Sequence, residues 1–317
     1  MGSSHLPRFK RSLTVAPIKI TARDREIIQL VHRHRFLRSL QIVALMQQSP
    51  QHVLRRLQLL YHHGYLERPR AQLDYYHQGG SRPIVYGLGK KGAALLKQEL
   101  GDAFRDVRWG EKNRSVGRIF LEHALLVSEV MVAVELACRE HGGIRFISKE
   151  ELLIPGEASR PLRWRVNVNS QLKLGVVPDG VFALEFTGPA GKPDRAFFFL
   201  EADRGTMPVV RRSLSQTSFH RKLLAYEATW SQSIHQTRFG FNRFRVLTVT
   251  KSAVRLKALV EACSRLKSGR GLFLFAEQIS LRNPSTLLSP VWRATTQTEP
   301  VSLLPESLLP DAASLAV

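Results

Sequence analysis

Cysteine is nearly absent. The 317 residues hold two, Cys138 and Cys263, both inside apolar helix-like stretches. Two are too few for a disulfide framework and fit packed thiols in a reducing compartment. Long hydrophobic runs are missing as well: no stretch approaches the roughly 18–20 apolar residues that a membrane-crossing helix needs. The opening residues, MGSSHLPRFKRSLTVAP, carry basic side chains but no apolar segment, so they do not read as a secretory signal. The expectation is a cytoplasmic protein with no membrane partner. Acidic residues are the remaining shortage, with 26 Asp and Glu against 47 Lys and Arg, a net charge of +21. A pI near 10.8 points to a polyanionic partner, most often nucleic acid. Ribosomal and membrane-surface proteins can be equally basic, so charge alone names no chemistry. RNA is the weaker partner, because no RNA-reading aromatic motif is present.

What is there reads as globular. Hydrophobic residues make up 44% of the chain, enough for two domains with their own cores. Residues 1–18 are polar and basic with Pro7 and Pro17, and read as a flexible arm. Thr21 with Asp24 three positions later is a capping box, opening a helix to about Arg35. Ser39 can cap a second short helix, LQIVALM. Ser49-Pro50 is an N-cap followed by proline at the first helical position, and predicts a third helix, QHVLRRLQLLYHHG, stopped by Gly64. Val53, Leu54, Leu57, Leu60 and Tyr61 form its expected buried stripe, with Gln51, His52, Arg55, Arg56 and Gln58 mostly off it.

A strand (YLERPR), a polar tip (LDYYHQGGSRP), a second strand (IVYGLG) and a helix from Lys90 follow. Three short helices and a two-stranded ribbon make the winged helix-turn-helix pattern over residues 19–102, and GYLERPR…IVYGLGKKGAALL resembles the wing and next helix of many bacterial winged-helix transcription and replication proteins. Residues 1–110 carry 19 Lys and Arg against 7 Asp and Glu. The expected partner is double-stranded DNA. Gln51, His52, Arg55 and Arg56 on the third helix would face the major groove, with Arg68, Arg70 and Arg82 on phosphates from the wing. A packing module with a solvated arginine face is the bland alternative. A homodimer on a palindromic site would suit a single winged helix, although nothing in the sequence fixes it.

Residues 103–115 are polar and punctuated by glycine, and read as a linker. Beyond them, 116–292 alternates helices and strands: a long helix to about His141, strand-like pieces at 144–148 and 163–168, a hairpin, a helix at 213–230, strand FRVLTVT, helix 252–266 and strand GLFLFA. This is an α/β layout, a mixed sheet covered by helices. Residues 293–317 turn Pro-, Ser- and Leu-rich and read as a weakly ordered tail.

The hairpin, Lys173–Thr206, holds the candidate chemistry. Asp179 follows Pro178 at the start of one strand, and Glu201 and Asp203 close the other. Two residues apart on a strand, Glu201 and Asp203 share a face, and hairpin pairing can bring Asp179 onto it. Converging carboxylates suit Mg²⁺ or Mn²⁺, while the same acids at arbitrary strand ends would be solvated loop residues.

The order helix, PD hairpin, E-x-D strand end and helix resembles the PD-(D/E)xK nuclease superfamily. That resemblance implies a restriction-endonuclease-like fold with Asp179 and Glu201 as metal ligands. Asp203 stands where the usual lysine belongs, either as a third ligand with Lys222 as a migrated lysine, or as the mark of a degenerate centre. Arg204 would sit near phosphate. Glu129 and His123 on the long helix are further candidates, more simply read as an exposed glutamate and a packed histidine. The wider set HALLVSE, VVPDGVF, FFLEADRGT, RKLLAYEA and VLTVT is similar to the replication-relaxation proteins of bacterial plasmids and integrative elements across residues 20–290. It implies a part in plasmid replication, relaxation or mobilisation, with partner proteins of those processes. Two readings stand open: a Mg²⁺- or Mn²⁺-dependent DNA endonuclease or nickase, and a non-catalytic, sequence-specific DNA-binding factor with a degenerate nuclease-like domain.

Overall fold

The structure is a computed structural model that describes residues 7–12, 15–73, 82–101, 109–152, 162–188 and 191–304. The tip of the expected wing (74–81), residues 1–6, 13 and 14 of the arm and the far C-terminus lie outside those residues. Two compact units, Met1–Val132 and Ala133–Val317, divide inside a helix rather than within 103–115.

The first unit is built from helices closed by short strands. Helix α1 (Ala22–His34) opens on the expected capping box, with Thr21 and Asp24 satisfying each other's backbone amides. Strand β1 (Phe36–Arg38) leads into α2 (Ser39–Met46), and α3 (Pro50–His62) starts on proline at its first position and stops before Gly64, whose φ is +83°. Strands β2 (Leu66–Glu67) and β3 (Val85–Leu88) follow, then α4 (Lys90–Leu100) and α5 (Trp109–Arg114). The ribbon is three-stranded, not two-stranded. Both β1 and β2 pair antiparallel with β3, in the order β1-β3-β2. Gly87 permits this, because a Cβ there would lie 2.8 Å from the Phe36 ring. Ile27, Ile28, Val31, Phe36, Leu37, Ile42, Leu57 and Leu60 make the core.

The arm is held where it is described. Arg11 ion-pairs with Glu67 at 2.7 Å and donates to the Tyr61 carbonyl at 3.0 Å, and the Ser12 amide donates to His62 Nδ1 at 3.1 Å. Helix α6 (Arg118–His141) is the long helix that the sequence predicted, and carries the division between the units. Among the described residues, no helix is long and apolar enough to cross a membrane.

The second unit is a mixed sheet flanked by helices. Strand β4 (Ile144–Ile147) and the short α7 (Lys149–Leu152) precede a separate hairpin of β5 (Trp164–Asn167) and β6 (Lys173–Val176). The predicted long hairpin forms as β7 (Gly180–Thr187) and β8 (Pro193–Asp203). Then come α8 (Phe219–Ser231), α9 (Ile234–Phe239), β9 (Phe244–Thr250), α10 (Ala253–Ser264), β10 (Phe273–Glu277) and β11 (Arg293–Ala294). The sheet order is β11-β10-β9-β8-β7-β4, with β8, β9 and β10 parallel and the other neighbours antiparallel.

Strand β8 sits inside that sheet, which explains the uninterrupted FFFLEAD run: residues 198–203 are all buried. Helices α8 and α10 pack together over one face, where Phe199, Tyr226, Phe244, Val246, Leu259 and Phe273 share a core with Trp164 of the small hairpin. The expected loose tail is ordered through residue 304. Strand β11 closes the sheet edge, Trp292 is fully buried, and Leu303 and Leu304 are buried too. Their apolar side chains give that segment a reason to pack.

Candidate functional site

The C-terminal end of β8 brings the predicted acids close together. Antiparallel pairing of β7 with β8 sets Gly180 opposite Leu200 and thereby puts Asp179 beside Glu201. The Asp179 amide donates to the Leu200 carbonyl at 2.9 Å, and the Ala202 amide donates to Asp179 Oδ2 at 2.9 Å. Glu201 is 2% exposed. Lys222 Nζ, one turn into α8, ion-pairs with its Oε2, and the Tyr226 hydroxyl donates to Oε1 at 2.6 Å. Lys222 and Tyr226 stand four apart on α8, so one helix face serves both oxygens.

Asp203 shares the strand face but has different partners. Arg255, in the first turn of α10, donates from Nε to Oδ2 at 2.8 Å and from Nη2 to Oδ1 at 2.9 Å. Thr250, paired with Asp203 across β9, donates its hydroxyl to Oδ2 at 2.8 Å. The bidentate fork is the strongest side-chain geometry available to a carboxylate. It ties Asp203 to Arg255 and Thr250 in a site only 6% exposed. Among the described residues, no group of three or more His, Cys, Asp or Glu is placed to hold a metal ion. Each Glu201 oxygen has one partner, Lys222 on Oε2 and Tyr226 on Oε1.

Burial pushes the Glu201 carboxyl above the usual carboxylate range, against the pull of Lys222. Burial also works against the Lys222 ammonium, but Glu201, Asp179 and Asp203 outweigh it and hold Lys222 above the ordinary lysine value. Burial and the Glu201 charge raise Tyr226 well above ordinary tyrosine, so it stays a donor. Lys222 therefore ion-pairs with Glu201 and lies within the field of Asp179 and Asp203.

Arg255 went unnoticed in the sequence. A cation in a helix's first turn opposes the helix dipole, and that mismatch is the signal for an acidic partner outside the helix. Glu129 pairs with Arg38 in the first unit.

On α3, Gln51, His52 and Arg55 are exposed as expected. Leu54, expected in the buried stripe, is 40% exposed and belongs to the same outer face. His52 and Arg55 line a groove of about 550 Å³ together with Arg23, Gln48 and Thr21. Arg56 lines the same groove, and its Nε and Nη2 grip the fully buried Asp24 at 2.8 and 2.5 Å. Arg68 is internal. It is 4% exposed, lies 4.0 Å from the Tyr61 ring centroid and donates to the Tyr86 hydroxyl at 2.9 Å. Arg68 is thus an internal strut, while Arg56 is tied to Asp24 and keeps part of its side chain at the surface. Arg70 and Arg82 are exposed, and Arg204 is half-buried directly after Asp203.

With the geometry in place, comparison with known proteins becomes informative. Residues 28–243 match the replication-relaxation family. The chain belongs to that family. Membership ties it to replication or relaxation of plasmids and mobile elements, and the matched span of the family runs from α1 through the β8 carboxylates and Lys222. No curated protein and no solved structure shows a significant match.

Proposed function

We propose that this replication-relaxation protein binds duplex DNA through a winged-helix first unit, and that its second unit is a nuclease-like sheet whose acids are neutralised from within. The α3 face of Gln51, His52, Leu54 and Arg55 reads the duplex, while Arg70 and Arg82 reach phosphates. The observation that carries the second half is the commitment of four carboxylate oxygens. Lys222 and Tyr226 occupy those of Glu201, and Arg255 with Thr250 occupies those of Asp203. Uncompensated acids beside DNA would repel it, and would call for a cation. Here Lys222 and Arg255 supply the compensation.

A second reading, a metal-dependent nickase, rests on Lys222 pairing with Glu201 beside Asp179. In that case Asp179 and Glu201 would hold Mg²⁺ or Mn²⁺, whose chemistry is to activate water and to stabilise charge on a scissile phosphate. Supercoiled-plasmid nicking with either ion separates the two readings. The binding-factor reading expects no nicking by the parent and no metal heat in calorimetry. Nicking that disappears in both Asp179→Ala and Glu201→Ala overturns it in favour of the enzyme.

A further inference from the structure

We infer that the loop from Arg204 to Ser218, between β8 and α8, is a second nucleic-acid surface that binds the phosphate backbone beside the carboxylate centre. The inference rests on the DNA-binding reading above. From Arg204 to Tyr226 the chain contains no acidic residue but holds Arg204, Arg211, Arg212, Arg221 and Lys222. With Arg255, six cations stand at this end of the sheet against the three carboxylates of Asp179, Glu201 and Asp203, so the acids do not set its sign.

The loop is pre-formed. Gly205 turns it at φ +75°. Arg255 Nη2, while holding Asp203, also donates to the Met207 carbonyl at 2.6 Å. The first amides of α8 staple the chain back on itself: Phe219 donates to the Pro208 carbonyl at 2.9 Å, and His220 to that of Val209 at 2.8 Å. Arg221 donates to the Ser215 carbonyl at 2.8 Å, and Arg211 to that of Thr217 at 3.2 Å. Two arginines thus hold the loop, and one is left over. Arg212 is exposed and has no hydrogen bond or ion pair among the described residues. Hydroxyls of Ser213 and Ser215, 2.7 Å apart, lie just beyond it. A free guanidinium beside hydroxyl donors on a pinned loop suits a phosphate diester, because little chain entropy remains to be lost on contact.

The test is a salt titration of the full chain on a fluorescent mixed-sequence DNA duplex, comparing Arg212→Ala, Arg212→Lys, Arg55→Ala and Arg282→Ala. Arg282 is exposed and lies outside the loop. The expected result is several-fold weaker binding for Arg212→Ala with a log–log salt slope smaller by about 1, a slope kept by Arg212→Lys, and parent behaviour for Arg282→Ala. Parent-like binding by Arg212→Ala while Arg55→Ala weakens would overturn the loop and leave the first-unit reading standing. An equal loss in Arg282→Ala would overturn it too, as an effect of net charge alone. A parent that does not bind duplex overturns both readings.

Discussion

Arg255 and Asp203 form a two-bond fork at 2.8 and 2.9 Å, across the gap between α10 and the end of β8. Their side chains are 16% and 4% exposed. Removing one partner of so buried a pair strands the other charge. Arg255→Met is therefore expected to lose about 3 kcal/mol, while removing both charges in Arg255→Met with Asp203→Leu costs less than the two single changes together. Urea unfolding of the four proteins measures this. Additive losses would mean that the pair is not coupled.

Tyr226 and Glu201 give a second, smaller effect. The hydroxyl donates to a charge-bearing group at 2.6 Å inside a dry site. Tyr226→Phe keeps the ring packed against Phe199 and Phe244 and removes only that bond, for a loss of about 1.5–3 kcal/mol. The readout is again the denaturation midpoint at unchanged m-value. Lys222→Met is expected to be at least as costly, since it leaves Glu201 buried without its cation.

Much of this architecture was legible because local signals and burial agreed. The Thr21–Asp24 box, Ser49-Pro50 and the VLTVT strand fall where their patterns put them, and the acid-ended run forms the second strand of the expected hairpin. Three-residue β1 was not legible, because Phe36–Arg38 is too short to show a period and exists only through pairing with β3. The partners of Arg56 and Arg68 were not legible for a related reason. A sequence shows that an arginine lies off an apolar stripe, but not that Asp24 or Tyr86 waits for it in the folded unit. Asp203 was placed on the right face, and its partner came from a helix whose first-turn cation was the one available clue.

The two cysteines make a prediction about reactivity. Burial pushes both thiols up to about 12, and each side chain is buried. The thiolate is the nucleophile, so at pH 8 neither has an appreciable reactive fraction. A chromogenic disulfide reagent should titrate no thiol in the folded protein and two after denaturation. Rapid release of one equivalent from the native protein would place Cys138 or Cys263 in a different environment.

Arg55 and Arg56 are adjacent on α3 and should behave oppositely. Arg55 is exposed, so Arg55→Ala should leave stability within about 0.5 kcal/mol of the parent and reduce the salt slope of duplex binding by about 1. Arg56→Ala should cost about 3 kcal/mol, because Asp24 is fully buried. The pH dependence follows from Asp24. Burial alone would raise its carboxyl, but Arg56 and Thr21 outweigh that and hold it below the usual aspartate value. The unfolded chain then takes up the proton first as pH falls, near an unperturbed value of about 3.9. A depressed folded value means that the contribution is whole above that pH and is lost as pH drops through the folded value. The gap in stability between parent and Arg56→Ala should therefore be widest at neutral pH and shrink on acidification, first as the unpaired, buried Asp24 of the variant takes up its proton and finally as that of the parent does. Urea midpoints at pH 7, 5, 4 and 3 measure it, and a gap that widened on acidification would mean that Arg56 does not hold Asp24 in its charged form.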